Sequence, residues 1–196
     1  MGKGDSEESI RNGAPRVYVV AGPTAVGKGT VVRKLREGHP TLPLSVSATT
    51  RKPRDGEIHG VDYFFVSNAE FDDLIAQDAL LEWATVHRNH RYGTPKQWVL
   101  EQGVDDGPVL LELDLEGARQ VKRHLSDATT IFVAPPSWEE LERRLLGRGT
   151  EDAQERQRRL ETAKTELAAQ DEFDVVVVND DVERTVAALA SVLGLD

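Results

Sequence analysis

Short apolar segments recur along the chain, and each is followed by residues of helical composition. Four of these segments are rich in β-branched residues: Arg16–Ala21, Pro108–Asp114, Thr129–Ala134 and Asp174–Asn179. The helices predicted after them cover residues 30–37, 115–124, 137–146 and a last stretch that ends near Leu193. Continuously apolar strands are typical of parallel sheets, and their alternation with helices implies crossover connections. The pattern predicts an α/β fold with a parallel sheet flanked by helices.

The segment 44–94 interrupts this alternation. It contains three short strand-like pieces, Leu44–Ser47, Asp62–Val66 and Leu80–Val86, and a predicted helix near Ala69–Gln77. Such a group predicts a small, mostly antiparallel insert outside the main sheet. A second, highly charged insert covers about residues 143–164. We therefore expect a disordered tail over residues 1–15 and one domain over 16–196, whose core consists of residues 16–43, 95–142 and 165–196.

Charge and composition narrow the range of partners. The 196 residues include 24 Lys and Arg against 34 Asp and Glu, a formal net charge of −10. This charge argues against broad electrostatic binding to nucleic acid or to an anionic membrane, so we expect neither partner. The absence of cysteine excludes disulfides, thiolate metal sites and thiol nucleophiles. The sequence contains no secretory pattern and no membrane-spanning run, and the expected location is the cytoplasm.

The strongest local motif follows the first predicted strand and precedes the first predicted helix. It has the form G-x-x-x-x-G-K of a phosphate-binding loop and consists of Gly22, Pro23, Thr24, Ala25, Val26, Gly27, Lys28, Gly29 and Thr30. Its N–H groups and the helix N-terminus can surround phosphate oxygens, and the lysine adds a positive charge. The residue after the lysine is normally Ser or Thr, but here it is glycine. We therefore expect Mg²⁺ to be held mainly by phosphates and water, with no protein ligand.

A second group of cations lies in the insert. Arg51 and Arg54 are three residues apart at a Pro-Arg-Asp-Gly turn. Planar guanidinium groups bind phosphate through paired hydrogen bonds, so these two residues predict a second phosphate site, with a solvated basic turn as the alternative. The phosphate loop by itself fits a kinase, a hydrolase or a GTPase. The Asn/Thr-Lys-x-Asp segment expected of a GTPase is absent from the sequence.

Further segments occur in the order and spacing of one family. They include Ser-Val-Ser-x-Thr-Thr-Arg-x-Pro-Arg at 45–54, and residues 62–66, 81–83, 92–94, 112–114, 134–137, 144–151 and 178–180. Through these segments the sequence resembles the guanylate kinase family from about Val17 to the C-terminus. The resemblance implies a phosphotransferase that moves the γ-phosphoryl group of ATP, bound with Mg²⁺, to GMP and dGMP. It also implies that residues 44–94 bind GMP and that residues 143–164 form a lid.

The resemblance implies roles for individual side chains. The GMP phosphate would be held by Arg51, Arg54, Tyr63 and Tyr92. Guanine would face Ser47, Glu82, Thr94 and Asp114. The catalytic cations would be Lys28, Arg51 and three arginines of the lid and its flank, Arg144, Arg148 and Arg159. Glu112, where many members have Asp, is assigned to the GMP site without a defined contact. Asn179 is assigned to ATP, with capping of the last helix as the alternative.

Elementary chemistry supports Glu82 as a guanine contact. Strand alternation puts it on one face with Leu80 and Val86, where a carboxylate is costly unless it is paired. Guanine could pair with it, because its N1–H and its N2 amino group both donate hydrogen bonds to one carboxylate. A solvated position on an edge strand is the alternative. Asp114 follows a predicted strand and could bond guanine, orient metal-bound water or cap the helix that begins at Leu115.

Two other functions are consistent with parts of the sequence. A guanylate-kinase-like binding module without catalysis would be expected to have lost the loop lysine and the acceptor arginines, and all of these are present. A nucleoside monophosphate kinase with another acceptor is the nearer alternative, since Gly-Lys-Gly-Thr also occurs in adenylate-kinase-like loops. The expected partners are therefore ATP and GMP, and the sequence does not define an oligomeric state.

Overall fold

The computed structural model describes residues 15–86, 90–102, 107–147 and 153–195. Within these ranges the strands are β1 (Arg16–Ala21), β2 (Ala48–Thr49), β3 (Phe64–Phe65), β4 (Leu80–Val86), β5 (His90–Pro95), β6 (Pro108–Glu112), β7 (Thr129–Ala134) and β8 (Val175–Val178). The helices are α1 (Lys28–Gly38), α2 (Asn68–Ala76), α3 (Lys96–Gln102), α4 (Leu115–His124), α5 (Trp138–Leu146), α6 (Ala153–Ala168) and α7 (Val182–Leu193).

The central sheet contains four parallel strands in the order β6-β1-β7-β8. Side chains of β1 alternate between its two faces, and both faces are covered. Val20 packs in one cluster with residues of α1, α5 and α7, while Val19 packs in another with residues of α4. This double coverage explains why the strands are continuously apolar. The parallel sheet flanked by helices confirms the predicted fold class.

A second sheet has the order β3-β2-β5-β4. Its β2–β5 and β4–β5 pairs are antiparallel, while β2 and β3 are parallel. Leu81 of β4 is buried in the same cluster as Val99 of α3 and Val121 of α4, so this sheet is fixed against the central one. The antiparallel insert of the predicted fold is therefore present as a small mixed sheet. The residue boundaries given above for core, insert and lid stay predictions.

The strand predicted over Leu44–Ser47 is wrong. Leu44 instead forms an isolated parallel bridge with Leu110, and the N–H of Ser45 donates to the carbonyl oxygen of Leu110 over 2.8 Å. The reason is that β6 lies at an edge of the central sheet, where its carbonyl groups accept hydrogen bonds from the passing chain. Pairing in the second sheet begins only at Ala48.

Fourteen of the fifteen residues of the predicted tail, 1–14, lie outside the described residues. Of the helices that the structure describes, none combines the length and the apolar character needed to cross a membrane.

Candidate active site

The phosphate-loop motif connects the C-terminal end of β1 to the start of α1. Its backbone requires glycine at two positions. A Cβ on Gly22 would clash with the carbonyl oxygen of Val133, and Gly27 has a φ of 98°, in the left-handed region. No side chain caps the N-terminus of α1, whereas Asp114 caps α4 by accepting a 2.7 Å hydrogen bond from the N–H of Gly117. The N-terminus of α1 is therefore available to an anion.

A cavity of about 700 Å³ opens in front of this loop. Seven loop residues line it, together with Arg33 of α1, Glu112 of β6, and Arg143 and Arg144 of α5. Cavities of this size accommodate ligands as large as a nucleotide. The structure thus brings Arg144 to the phosphate loop, and it adds Arg143 and Arg33, to which the sequence analysis assigned no role.

Lys28 is the buried cation of the phosphate loop, and three carboxylates lie in its electrostatic environment. Its Nζ donates to the carbonyl oxygen of Gly22 over 3.1 Å. Burial lowers the pKa of Lys28, and the negative charges of Glu112, Glu166 and Asp114 partly oppose that shift. A buried cation of this kind is an anion-binding group, because a phosphate can replace the hydration that the lysine has lost.

The carbonyl oxygen of Val26, inside the loop, accepts two side-chain hydrogen bonds. Nη1 of Arg144 donates over 3.0 Å and Nδ2 of Asn179 over 2.8 Å. Nε of Arg144 also donates to Glu140 over 2.7 Å, and Arg143 donates to both oxygens of that carboxylate. The two guanidinium groups lower the pKa of Glu140 to about 2. Glu140 thus holds a pair of arginines beside the loop.

Asn179 is only 4% exposed and lies beneath the loop. Its Nδ2 donates to Val26, while its Oδ1 lies 3.1 Å from the Thr185 hydroxyl, which has a shorter contact of 2.7 Å with the carbonyl oxygen of Asp181. The buried amide group is thus directed at the phosphate loop, which favours support of that loop over a direct contact with adenine.

Replacing Asn179 by alanine is expected to lower the free energy of unfolding by about 1–3 kcal/mol, because it removes a buried amide that donates to the carbonyl oxygen of Val26. Urea denaturation would measure this change. The matched control is Asp180→Ala, which removes a neighbouring exposed ion pair with Arg184 and should alter stability by less than about 0.5 kcal/mol. Equal losses for both variants would contradict a supporting role for Asn179.

A carboxylate from α6 reaches the same loop. Oε2 of Glu166 accepts a 3.1 Å hydrogen bond from the backbone N–H of Thr24. Burial raises the pKa of Glu166, and the nearby charge of Lys28 lowers it in part. The sequence analysis missed this residue, since it is 142 positions away from Thr24 and belongs to no local motif.

The second cation group forms a compact cluster in the insert. Nη1 and Nη2 of Arg51 donate to the two carboxylate oxygens of Glu57 over 2.9 and 2.8 Å, which lowers the pKa of that carboxyl. The Arg51 guanidinium lies 5.3 Å from the ring centre of Tyr63, whose ring is 5.8 Å from that of Tyr92. The backbone N–H of Arg54 donates to Glu57 over 2.7 Å, while the Arg54 side chain is exposed. Glu57 thus holds the side chain of Arg51 and the backbone at Arg54.

Glu82 of β4 is buried against α4. It is 7% exposed and Thr94 is fully buried, and the Thr94 hydroxyl donates to Oε1 of Glu82 over 2.7 Å. Burial raises the pKa of Glu82, and the charge of Asp114 adds to this effect. A Cβ built on Gly117 would lie 3.4 Å from Oε2 of Glu82 and 3.2 Å from Oδ1 of Asp114, so the two carboxylates converge on the first turn of α4.

Asp114 connects the two groups of residues. It adds to the electrostatic environment of both Glu82 and Lys28. Its Oδ1 caps α4, as one of the sequence readings proposed, and this bond leaves the other oxygen for a ligand. Asp114 is thus the residue through which the electrostatic environments of the phosphate loop and of the buried Glu82–Thr94 pair are related.

The remaining predicted site residues lie in several parts of the fold. Ser47 directly precedes β2, and its carbonyl oxygen accepts a 2.9 Å hydrogen bond from the N–H of Phe64. Glu112 faces the phosphate loop, as a lining residue of the loop cavity. Arg159 is half-buried on α6, and Arg148 lies outside the described residues.

The family model described as guanylate kinase matches residues 14–195. A guanylate kinase of Cutibacterium acnes is 56% identical over 183 residues, which cover 93% of this chain and 92% of the relative. One from Mycobacterium sp. (strain MCS) is 58% identical over 182 residues, or 92% of each protein. The crystal structure of guanylate kinase from Anaplasma phagocytophilum has a TM-score of 0.69 at 31% identity, covering 94% of this chain and 87% of that one.

The chain belongs to the guanylate kinase family. Its two departures noted from the sequence, glycine at 29 and glutamate at 112, are neighbours in space, because a Cβ on Gly29 would lie 3.4 Å from Oε1 of Glu112. The longer side chain thus occupies the space beside a position that carries no side chain. The guanylate kinase motifs identified the loop, Arg51 and Glu82, but gave no signal for the partner carboxylates Glu57 and Glu140.

Proposed function

We propose that this chain transfers the γ-phosphoryl group of ATP to GMP or dGMP, with release of ADP and the nucleoside diphosphate. One observation carries the proposal: a carboxylate, Glu82, is buried with a hydroxyl donor and converges with Asp114 on the first turn of α4. The carboxylate suits the two hydrogen-bond donors of guanine, whereas adenine would present an acceptor to it. Family membership supports the same activity, and the intact loop lysine does not favour an inactive binding module.

On the donor side, the ATP phosphates would lie in the loop cavity. The N-terminus of α1 and Lys28 would contact the phosphates, and Arg144 would stabilise negative charge on the transferred group. We propose the same role for Arg159 of α6. Phosphoryl transfer of this type depends on positioning and electrostatic stabilisation, and the fixed loop supplies both.

On the acceptor side, Arg51 would hold the GMP phosphate together with Arg54, Tyr63 and Tyr92. Tyr92 and Thr94 project from the same face of β5, since they are two residues apart in a strand, so one strand would contact both ends of GMP. The attacking phosphate oxygen is already ionised, and no general base is required. We further propose that residues 44–94 act as the GMP-binding insert and 143–164 as the lid.

Magnesium fits the donor side of this site. Glu112 presents a carboxylate to the loop cavity, and carboxylate oxygen and phosphate oxygen are donors that Mg²⁺ prefers. We propose that Glu112 contacts water molecules of a phosphate-bound Mg²⁺, which would neutralise charge on the ATP phosphates. Since both nucleotides belong to the cytoplasmic pool, we also propose a cytoplasmic location.

The acceptor assignment can be tested with a panel of GMP, dGMP, AMP, CMP and UMP, each assayed with ATP. GMP and dGMP are expected to give the highest kcat/KM, and AMP a value lower by roughly 10⁴-fold, because a site built for one hydrogen-bonding edge strongly rejects another. Turnover of AMP above that of GMP would overturn the assignment.

The GMP site is expected to weaken in mild acid. Burial raises the pKa of Glu82, so the free protein protonates this carboxyl at a higher pH than an ordinary glutamate. Only the ionised form accepts two hydrogen bonds from guanine, and GMP binding should therefore lower the pKa of Glu82. KM for GMP is expected to rise as pH falls from about 7.5 toward the raised pKa. The Glu82→Gln variant is the control, and its KM for GMP should not show this rise at low pH. If KM depends on pH identically in both proteins, Glu82 is not the group that titrates.

A further inference from the structure

A polar side chain of helix α6 contacts the backbone of the phosphate loop. The Glu166 carboxylate accepts the 3.1 Å hydrogen bond from the N–H of Thr24, the third residue of the loop. The apolar side of α6 packs in the core, where Ala163 is fully buried in one cluster with Leu141 of α5 and Val26 of the loop. Packing therefore fixes the helix in the core, while Glu166 connects it directly to the loop backbone.

Glu166 shares a helix face with Arg159. The two residues are seven positions apart, which is close to two complete turns, and both are half-buried in a helix whose other residues are mostly exposed. A rise of about 1.5 Å per residue separates their Cα atoms by roughly 10 Å along the axis. Any movement of the helix at Glu166 would thus move Arg159 relative to the loop.

The negative charge of Glu166 does not favour a direct contact between this side chain and the nucleotide phosphates. Its carboxylate lies in the electrostatic environment of Lys28, which Glu112 and Asp114 already share. A further negative charge there would oppose the approach of a triphosphate. The hydrogen bond to Thr24, by contrast, needs only an acceptor oxygen at that point.

We propose that Glu166 is a positioning residue for phosphoryl transfer: through Thr24 it fixes α6 on the phosphate loop and thereby sets the position of Arg159. This inference rests on the proposed function. The charge of Glu166 is incidental to the role, whereas its acceptor oxygen and its reach are essential. Glutamine can supply both, alanine neither, and aspartate is one methylene too short.

The test compares Glu166→Gln, Glu166→Ala and Glu166→Asp in the full chain, with kcat, KM for each nucleotide and thermal unfolding as readouts. Glutamine is expected to keep kcat within about threefold of the parent. Alanine and aspartate should lower kcat by roughly 10- to 100-fold, because a displacement of Arg159 by about 1 Å is expected to cost that much. KM for GMP should be nearly unchanged. The matched control is Glu172→Ala, which removes an exposed carboxylate that pairs with Arg119 just beyond the end of the same helix.

Combination with Arg159→Ala separates positioning from a general loss of stability. If Glu166 acts through Arg159, the double variant Arg159→Ala/Glu166→Ala should have a kcat within about twofold of Arg159→Ala alone. The proposal is overturned if the losses of kcat in the two single variants multiply in the double variant. It is also overturned if folded Glu166→Asp keeps the parent kcat, or if Glu166→Gln is as impaired as Glu166→Ala. If the parent protein itself phosphorylates no GMP, the proposed function fails instead, and the two failures are thereby distinguished.

Discussion

Replacing Lys28 by alanine is expected to lower kcat for GMP phosphorylation by roughly 10³-fold or more. The Lys28 ammonium is the cation at the centre of the phosphate loop, and removal of a single positioned donor from a transition-state site costs about 10²–10³-fold even without a full charge. The ammonium is also desolvated by burial, which strengthens its attraction for phosphate.

The same substitution should leave the fold intact. Because burial lowers the pKa of Lys28, the folded state carries a cost for keeping this group charged, and alanine removes that cost. Thermal unfolding of Lys28→Ala should therefore occur at the parent temperature or above it. The control is Lys34→Ala on α1, where an exposed lysine pairs with Glu183 on α7. Turnover in Lys28→Ala close to that of the control would refute the proposed role of the loop.

Replacing Glu82 by glutamine is expected to raise KM for GMP by roughly 10- to 100-fold, while KM for ATP changes by less than about threefold. The carboxylate can accept hydrogen bonds from both guanine donors. The amide has one acceptor oxygen, and its NH₂ group would face one of the guanine donors. A lost hydrogen bond to a charged group costs about 1.5–3 kcal/mol, and this cost corresponds to the expected increase in KM for GMP.

The stability of Glu82→Gln provides an independent check. Since the pKa of Glu82 is raised in the folded state, ionisation of Glu82 destabilises the ligand-free fold as pH rises above the ordinary glutamate value. Glutamine, which carries no charge, should make the ligand-free protein at least as stable near neutral pH. Glu101→Gln, at an exposed position of α3, is the control for the substitution itself. Equal increases in KM for ATP and GMP would show that Glu82 does not contact guanine.

Elements with strong local signals were predicted to within a few residues. The helix expected over 115–124 occurs as Leu115–His124, because Asp114 supplies a capping oxygen where the apolar strand ends. The strand Arg16–Ala21 is equally well defined by its apolar run. Leu44–Ser47 was predicted wrongly, since its apolar character is equally suited to either sheet and only the position of β6 decides between them.

The site was predictable where chemistry is encoded in consecutive residues. The phosphate loop is a single contiguous motif, and Glu82 violates the apolar pattern of its strand. The supporting carboxylates carry no such signal: Glu166 reaches Thr24 across 142 positions, and Glu140 looks like an ordinary helix-surface acid beside Arg143 and Arg144. Contacts of this kind become visible only when the chain is folded.

The position of Asp114 would limit how the proposed acceptor preference could be redesigned. One of its oxygens accepts the hydrogen bond from Gly117 that caps α4, and under the proposed function the other would contact guanine. Exchanging Asp114 for an apolar residue to admit a different base would also remove this cap from the first turn of the helix, where Leu115 and Ala118 are buried. Under the proposed function, base selectivity and the stability of α4 therefore depend on one side chain, and a redesign would have to supply a new cap as well.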